Sequence, residues 1–249
     1  MIELKNVHKK FGRHVVLDGV DFRVADGETV ALLGPSGSGK SVLLKHIIGL
    51  MKPDQGEVLV DGESVTQLGR KALAALRSRI GYAFQTGALF DSMNVFENIR
   101  LGITDDACYR DRDFCRTRAV ECLRQVNLTE DVGKLMPAAL SGGMRKRVGI
   151  ARAIAGRPKY LLYDEPTSGL DPVNADAMDA LIERLQKDLH ATSVVVSHDV
   201  RGSFKVADRI ALLHNGRIRA VGTAEEFMAA KDSVVREFLE RDVEFATEA

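Results

Sequence analysis

Three clusters in this chain have the residue types and spacing to hold a phosphate chain and break it. Gly34-Pro35-Ser36-Gly37-Ser38-Gly39-Lys40-Ser41 is a complete G-x-x-x-x-G-K-S. Its glycines let consecutive backbone N–H groups wrap phosphate oxygens, Lys40 carries positive charge to the β/γ oxygens, and the Ser41 hydroxyl suits Mg²⁺. Ser141-Gly142-Gly143 reads as a helix start, where a serine and two glycines leave backbone N–H groups bare for an anion. Asp164-Glu165 follows the apolar run Tyr160-Leu161-Leu162-Tyr163, so two carboxylates stand where a buried strand ends. That is the edge at which open parallel sheets bind ligands. A phosphate-binding helix start followed by a strand ending in two acids suggests nucleotide chemistry.

These groups need particular elements behind them. Residues 29–33 are a buried strand leading into the glycine-rich loop, and a helix is expected from Lys40 to about Leu50. Behind Ser141 a helix carries Met144, Val148, Ala151 and Ala155 at helical spacing and stops at Gly156-Arg157-Pro158. Residues 174–189 form an amphipathic helix, and residues 192–196 a buried strand that brings Ser197-His198-Asp199 to the sheet edge. Residues 2–7 and 15–24 are β-like, joined by a loop holding Phe11-Gly12. Asp61-Gly62 and Asn215-Gly216 are hairpin turns.

From about Thr86 to Gly156 the pattern turns helical, clearest over 94–100 and 112–126, with 105–113 a polar connection. Thr223 with Glu226 forms a capping box. A last helix over 233–241 carries Val234, Val235, Phe238 and Leu239 on one stripe, and residues 243–249 are expected to fray.

Composition narrows the class. The 249 residues carry 35 basic and 35 acidic side chains, so no global field favours nucleic acid. No run approaches the 18 or so apolar residues of a spanning helix, and the polar N-terminus is no signal peptide. The expectation is a protein cytosolic in itself, reaching a membrane only through a partner. Cys108, Cys115 and Cys122 are seven apart, which would align them on one helix face. Without close pairs and histidines they read as small buried side chains in a reduced compartment rather than as a metal site.

The motifs together resemble those of the ABC ATPases: Walker A at 34–41, signature at 140–143, Walker B at 160–165 and D-loop at 168–171. The resemblance covers nearly the whole chain. It implies an α/β fold of P-loop NTPase type, a RecA-like core with an antiparallel β layer and a helical subdomain insertion. The single domain would divide into a nucleotide-binding core over 1–85 and 157–230, the helical subdomain over 86–156, and a C-terminal helix and tail over 231–249.

The resemblance also implies roles. Phe11 would stack on adenine, Gln85 would reach Mg²⁺ and the attacking water, and His198 would sense the γ-phosphate. Asp164 would hold Mg²⁺ through its water shell, and Glu165 would be the base or water-positioning group. Ser141, Gly142, Gly143 and Asp171 would serve the ATP of a second chain, because two chains pack head-to-tail as a homodimer around two ATP molecules. The helical subdomain would form the groove for a membrane subunit, with Phe84, Leu89, Phe90, Met93, Val95 and Phe96 as candidates for its floor.

Met144 stands where the common signature has glutamine, so contacts of that glutamine are not carried over. Leu-Ser-Gly-Gly-Met, with 84–90 and Met93-Asn94-Val95-Phe96-Glu97-Asn98, looks like the Mla/Mce-type lipid-transport ATPases. That implies a peripheral ATPase on the cytoplasmic face of an inner membrane, working with integral permease subunits and, through them, periplasmic Mce-type lipid-binding subunits. An ATPase for another importer of amino acids or small solutes would share every catalytic residue. ABC proteins acting on ribosomes or DNA usually need two linked ATPase domains or a long coiled-coil insertion, and neither is visible here.

Overall fold

The computed structural model describes the backbone of residues 1–247 and the side chains of residues 1–240. In chain order it begins with strands β1 (Ile2–Phe11), β2 (His14–Val24) and β3 (Thr29–Leu33), then helix α1 (Lys40–Ile47). Strands β4 (Gln55–Val60) and β5 (Glu63–Ser64), helix α2 (Arg70–Arg77) and strand β6 (Ile80–Ala83) follow. Next come helices α3 (Val95–Arg100), α4 (Asp106–Arg110), α5 (Arg112–Gln125) and α6 (Gly142–Ile154), strand β7 (Tyr160–Asp164) and helix α7 (Pro172–Leu189). The remaining elements are β8 (Thr192–Ser197), α8 (Val200–Val206), β9 (Arg209–His214), β10 (Arg217–Gly222), α9 (Ala224–Met228) and α10 (Ser233–Thr247). They fall into two compact units, residues 1–73 with 192–249 and residues 74–191. The second unit takes in β6 and β7 as well as the helices between them.

In the first unit, β1 pairs antiparallel with β2 and β4, and β5 adds to β4. A separate ladder sets β3 parallel to both β8 and β9, with β10 antiparallel on β9. Every residue of β3 and β8 is buried, as expected of parallel strands covered on both faces. Asp61-Gly62 and Asn215-Gly216 turn their hairpins with positive φ at both residues, the geometry that matches strand twist.

Helix α1 stops at Ile47, short of the expected Leu50, because Gly49 turns left-handed at φ 64° and ends it. The core under the parallel ladder joins Ala31, Leu33, Ile210 and Leu212 to Phe227 and Val235, with Val234, Phe238 and Leu239 packed against it. The Thr223–Glu226 capping box is present. Helix α10 runs on through 247 rather than fraying from 243; the last two residues of the expected tail lie outside the described residues.

In the second unit β6 and β7 pair parallel, Tyr82 opposite Leu162. No strand occurs between them. The polar connection expected over 105–113 contains a helix, α4, because Asp105 accepts from the Cys108 N–H and caps it. Asp111 ends that helix and caps the next by accepting from the N–H groups of Asp113 and Phe114. The break corrects the picture of three cysteines on one helix face: Cys108 lies on α4, and Cys115 and Cys122 on α5. The latter two are buried and all three are free thiols. Burial pushes the Cys122 thiol up to about 11, which suits an inert packing role.

Asn98 is fully buried. Its amide donates to the carbonyls of Phe90, Met93 and Asn94 and accepts from the Phe90 N–H. One side chain therefore fixes the loop over 90–94. Among the described residues no helix is long and apolar enough to cross a membrane.

Candidate functional site

In the first unit the ladder register sets the site. Leu33 is level with Ser197 on β8 and with Leu212 on β9. The Gly34 loop and His198 therefore leave the same edge of the ladder, one residue past their strands. Gly34 cannot be replaced cheaply: a Cβ there would lie 2.3 Å from the Leu213 carbonyl oxygen. Gly37 and Gly39 adopt φ of 79° and 105°, backbone that glycine reaches without strain.

Lys40 opens α1. The helix has no side-chain cap at Gly39, and a helix N-terminus favours an anion. The Lys40 ammonium is buried and donates to the carbonyls of Gly34 at 2.7 Å and Pro35 at 3.2 Å, which curls the loop around it. The Ser38 hydroxyl is buried with no partner. A cavity of about 410 Å³ lies beside this loop, lined by Pro35–Ser38, by Val15, Val16 and Asp18 of β2, and by the Asn215-Gly216 turn.

His198 is exposed in a turn held by neighbours. The Asp199 N–H donates to the Ser197 hydroxyl, and the Asp199 carboxylate caps α8. Phe11 ends β1 and is 48% exposed, with the Lys9 ammonium 5.6 Å from its ring centre. It does not line the cavity.

In the second unit β7 is buried throughout and delivers Asp164 and Glu165, 8% and 9% exposed. Tyr82, opposite Leu162 and hence on the same strand face as Asp164, donates its hydroxyl to the Asp164 carboxylate at 2.8 Å. Burial, then the Asp164 charge, push the Tyr82 phenol up, so it stays a protonated donor. Glu165 sits at φ 52°, a left-handed conformation costing a non-glycine residue of order 1 kcal/mol. The carbonyls of Glu165 and Pro166 both accept from the Lys146 ammonium, at 3.0 and 3.1 Å. Gln85 follows β6 and its amide reaches the Ser168 hydroxyl at 3.3 Å. Asp171 is exposed and caps α7, accepting from the Asn174 backbone and side-chain N–H groups. The Asn174 hydrogen bonds hold its carboxyl below the usual range.

Ser141 is the N-cap of α6 and accepts from the Met144 N–H at 3.2 Å. Nothing lies within 4 Å of a Cβ built on Gly142, and Gly143 would meet only Leu170 at an ordinary 3.7 Å. Neither has positive φ. Among the described residues nothing asks for glycine at these two positions of the first helical turn.

Three contributors were not singled out in the sequence. Tyr82 showed in the sequence only as one residue of the strand-like run 80–84 before Gln85. Lys146 sits five residues past Ser141, where a basic residue on a helix looks like a solvated face. Arg152 donates to the carbonyls of Gly87 and Ala88, each at 2.7 Å. Gly87 is so close to α6 that a Cβ on it would lie 2.5 Å from the Arg145 carbonyl oxygen. The Gln85 loop is thereby fastened to α6.

For a divalent cation, no group of three or more His, Cys, Asp or Glu side chains converges among the described residues. The proposed donors, the Ser41 hydroxyl, the Gln85 amide oxygen and the Asp164 carboxylate, are hard oxygen ligands. Each taken singly is a donor of the kind Mg²⁺ accepts beside phosphate and water.

Comparison with known proteins agrees with these features. The family model described as "ABC transporter" matches residues 17–168. The intermembrane phospholipid transport system ATP-binding protein MlaF of Haemophilus influenzae is 38% identical over 239 residues, 96% of this chain and 90% of MlaF. The sulfate/thiosulfate import ATP-binding protein CysA of Caulobacter vibrioides is 42% identical over 236 residues, 93% of this chain and 67% of CysA. Among solved structures, the dimeric post-hydrolysis state of the ATP-binding cassette MJ0796 bound to ADP and Pi superimposes with a TM-score of 0.82 at 35% identity, covering 90% of this chain and 99% of that one.

Proposed function

We infer, for a chain that belongs to the ABC transporter family, that ATP hydrolysis by a homodimer drives phospholipid movement between two membranes. The chain is the ATP-binding and ATP-hydrolysing subunit of an ABC transporter. The observation that carries the phospholipid reading is the match to MlaF along 96% of the chain. The local run Leu-Ser-Gly-Gly-Met at 140–144 supports it.

Phosphoryl transfer to water depends mainly on positioning and on neutralising charge. The amides of residues 34–41 and the Lys40 ammonium take the phosphate oxygens. Ser41, Gln85 and Asp164 would hold Mg²⁺, Asp164 through water, and the bound ion supplies charge neutralisation at the phosphates. Glu165 orients the attacking water, with His198 and Gln85 on the γ-phosphate. Phe11 stacks on the adenine.

Ser141, Gly142, Gly143 and Asp171 act on the ATP of the second copy. The glycines support this: with no close contact around either among the described residues, the need for a bare backbone comes from something arriving from outside. ATP binding closes the dimer and hydrolysis reopens it, and membrane-embedded permease subunits convert the cycle into transport. The dimer sits peripherally at the cytoplasmic face of the inner membrane, and the permease connects it to periplasmic Mce-type subunits.

The similarity to CysA favours a second reading, import of a small oxyanion. Gentle detergent purification of the complex, with ATPase assayed against added phospholipid and added sulfate, separates the two. Co-purified phospholipid and lipid-stimulated turnover are expected. Stimulation by sulfate alone, with no lipid retained, would favour the CysA-like reading.

A further inference from the structure

We propose that Lys146 is a positioning residue: its ammonium holds the turn after β7 so that Glu165 is presented in one place, and ties that turn to the Ser141 helix start. This rests on the assignment of Glu165 to water positioning.

The geometry is specific. Lys146 reaches two consecutive carbonyls, Glu165 at 3.0 Å and Pro166 at 3.1 Å. The Ser168 N–H adds a longer bond to the Glu165 carbonyl at 3.3 Å. Glu165, Pro166 and Thr167 are all buried, and Glu165 is held at φ 52°. A buried turn in a costly conformation persists only where its surroundings over-determine it, and two charge-assisted hydrogen bonds from one ammonium do so. Burial lowers the Lys146 pKa while the Glu165 charge opposes that shift, so the cation and the carboxylate sense each other.

Lys146 stands on the helix that Ser141 caps, little more than one turn along it. The same helix fastens the Gln85 loop through Arg152. An α-helix moves as a stiff body over this distance. An anion engaged at Ser141 is therefore felt at Glu165 of the same chain through Lys146, and at the Gln85 loop through Arg152. In a dimer whose helix starts serve the partner's ATP, this links the two hydrolytic sites.

The test compares full-length Lys146→Met, Lys146→Arg and Glu165→Gln in steady-state ATPase assays. Lys146→Met keeps the side-chain length and removes every donor. It should lower kcat by about tenfold or more while KM for ATP stays within about twofold. Lys146→Arg, which retains donors, should recover kcat to within about threefold of wild type.

An unchanged kcat in Lys146→Met beside an inactive Glu165→Gln overturns the Lys146 inference and leaves the Glu165 assignment standing. Wild-type turnover by Glu165→Gln overturns the assignment beneath both. Should Lys146→Met fail to fold, Lys146→Gln, with one donor group, carries the same comparison and should show an intermediate loss of kcat.

Discussion

The Tyr82 hydroxyl donates to the Asp164 carboxylate across 2.8 Å, joining β6 to the end of β7. The bond holds a buried carboxylate in one rotamer and leaves its remaining lone pairs for other donors. Tyr82→Phe removes only the hydroxyl. It should destabilise the protein by about 1–3 kcal/mol, the range for a hydrogen bond to a buried charged group, and raise the Mg²⁺ concentration at which ATPase is half-maximal. Chemical denaturation and a Mg²⁺ titration check both, and an unchanged titration would detach Tyr82 from function.

Gly142 and Gly143 separate internal from external demand. With open space at Gly142 and only an ordinary contact at Gly143, Gly142→Ala and Gly143→Ala should leave stability unchanged or raise it slightly through helix propensity. ATP-dependent dimerisation and turnover should nonetheless fall by about tenfold or more. Thermal melts beside ATPase rates make the comparison, and alanine variants with full activity would show that no ligand needs the bare backbone.

Lys40→Ala should weaken ATP binding by about tenfold or more, since the only cation in the glycine-rich loop is lost from the phosphates. Because Lys40 also donates to the carbonyls of Gly34 and Pro35, some stability should go with it. Equilibrium titration with a fluorescent ATP analogue reads the affinity directly.

His46 gives the fold a pH dependence. Its Nδ1 donates to the Met51 carbonyl at 2.9 Å, while Nε2 is buried without a partner, so the neutral ring fits and the charged one does not. Burial lowers its pKa below the ordinary 6.5. The unfolded chain therefore takes the proton first, and the stability this group contributes is present above about pH 6.5 and lost as pH falls below it. Melting temperatures between pH 7.5 and 5 should decline less in His46→Gln than in wild type.

Much of this was legible in the sequence because the chemistry of the site is local. Gly34–Ser41 declares itself as a continuous run, and Asp164-Glu165 follows directly on the strand that carries it. The hairpins at Asp61-Gly62 and Asn215-Gly216 were equally plain, since positive φ at two successive residues selects those types. Hidden were the contacts between residues far apart in the chain. Nothing in a basic side chain at 146 points to carbonyls at 165 and 166, and nothing in Tyr82 points to Asp164 before the register of β6 and β7 is known. Helix α4 was missed for a different reason: Asp105 and Asp111 read as a charged loop, yet each accepts from backbone N–H groups and caps a helix. Polar character and helix capping look alike until the acceptors are seen.

The central claim is that two copies of this chain close on ATP and that Glu165 is needed to reopen them. The most direct measurement is the mass of Glu165→Gln in solution by light scattering, with Mg²⁺ and either ATP or ADP. The account predicts a stable dimer with ATP, monomer with ADP, and no detectable turnover. A Glu165→Gln protein that stays monomeric with saturating ATP, or that hydrolyses ATP at the wild-type rate, would contradict it.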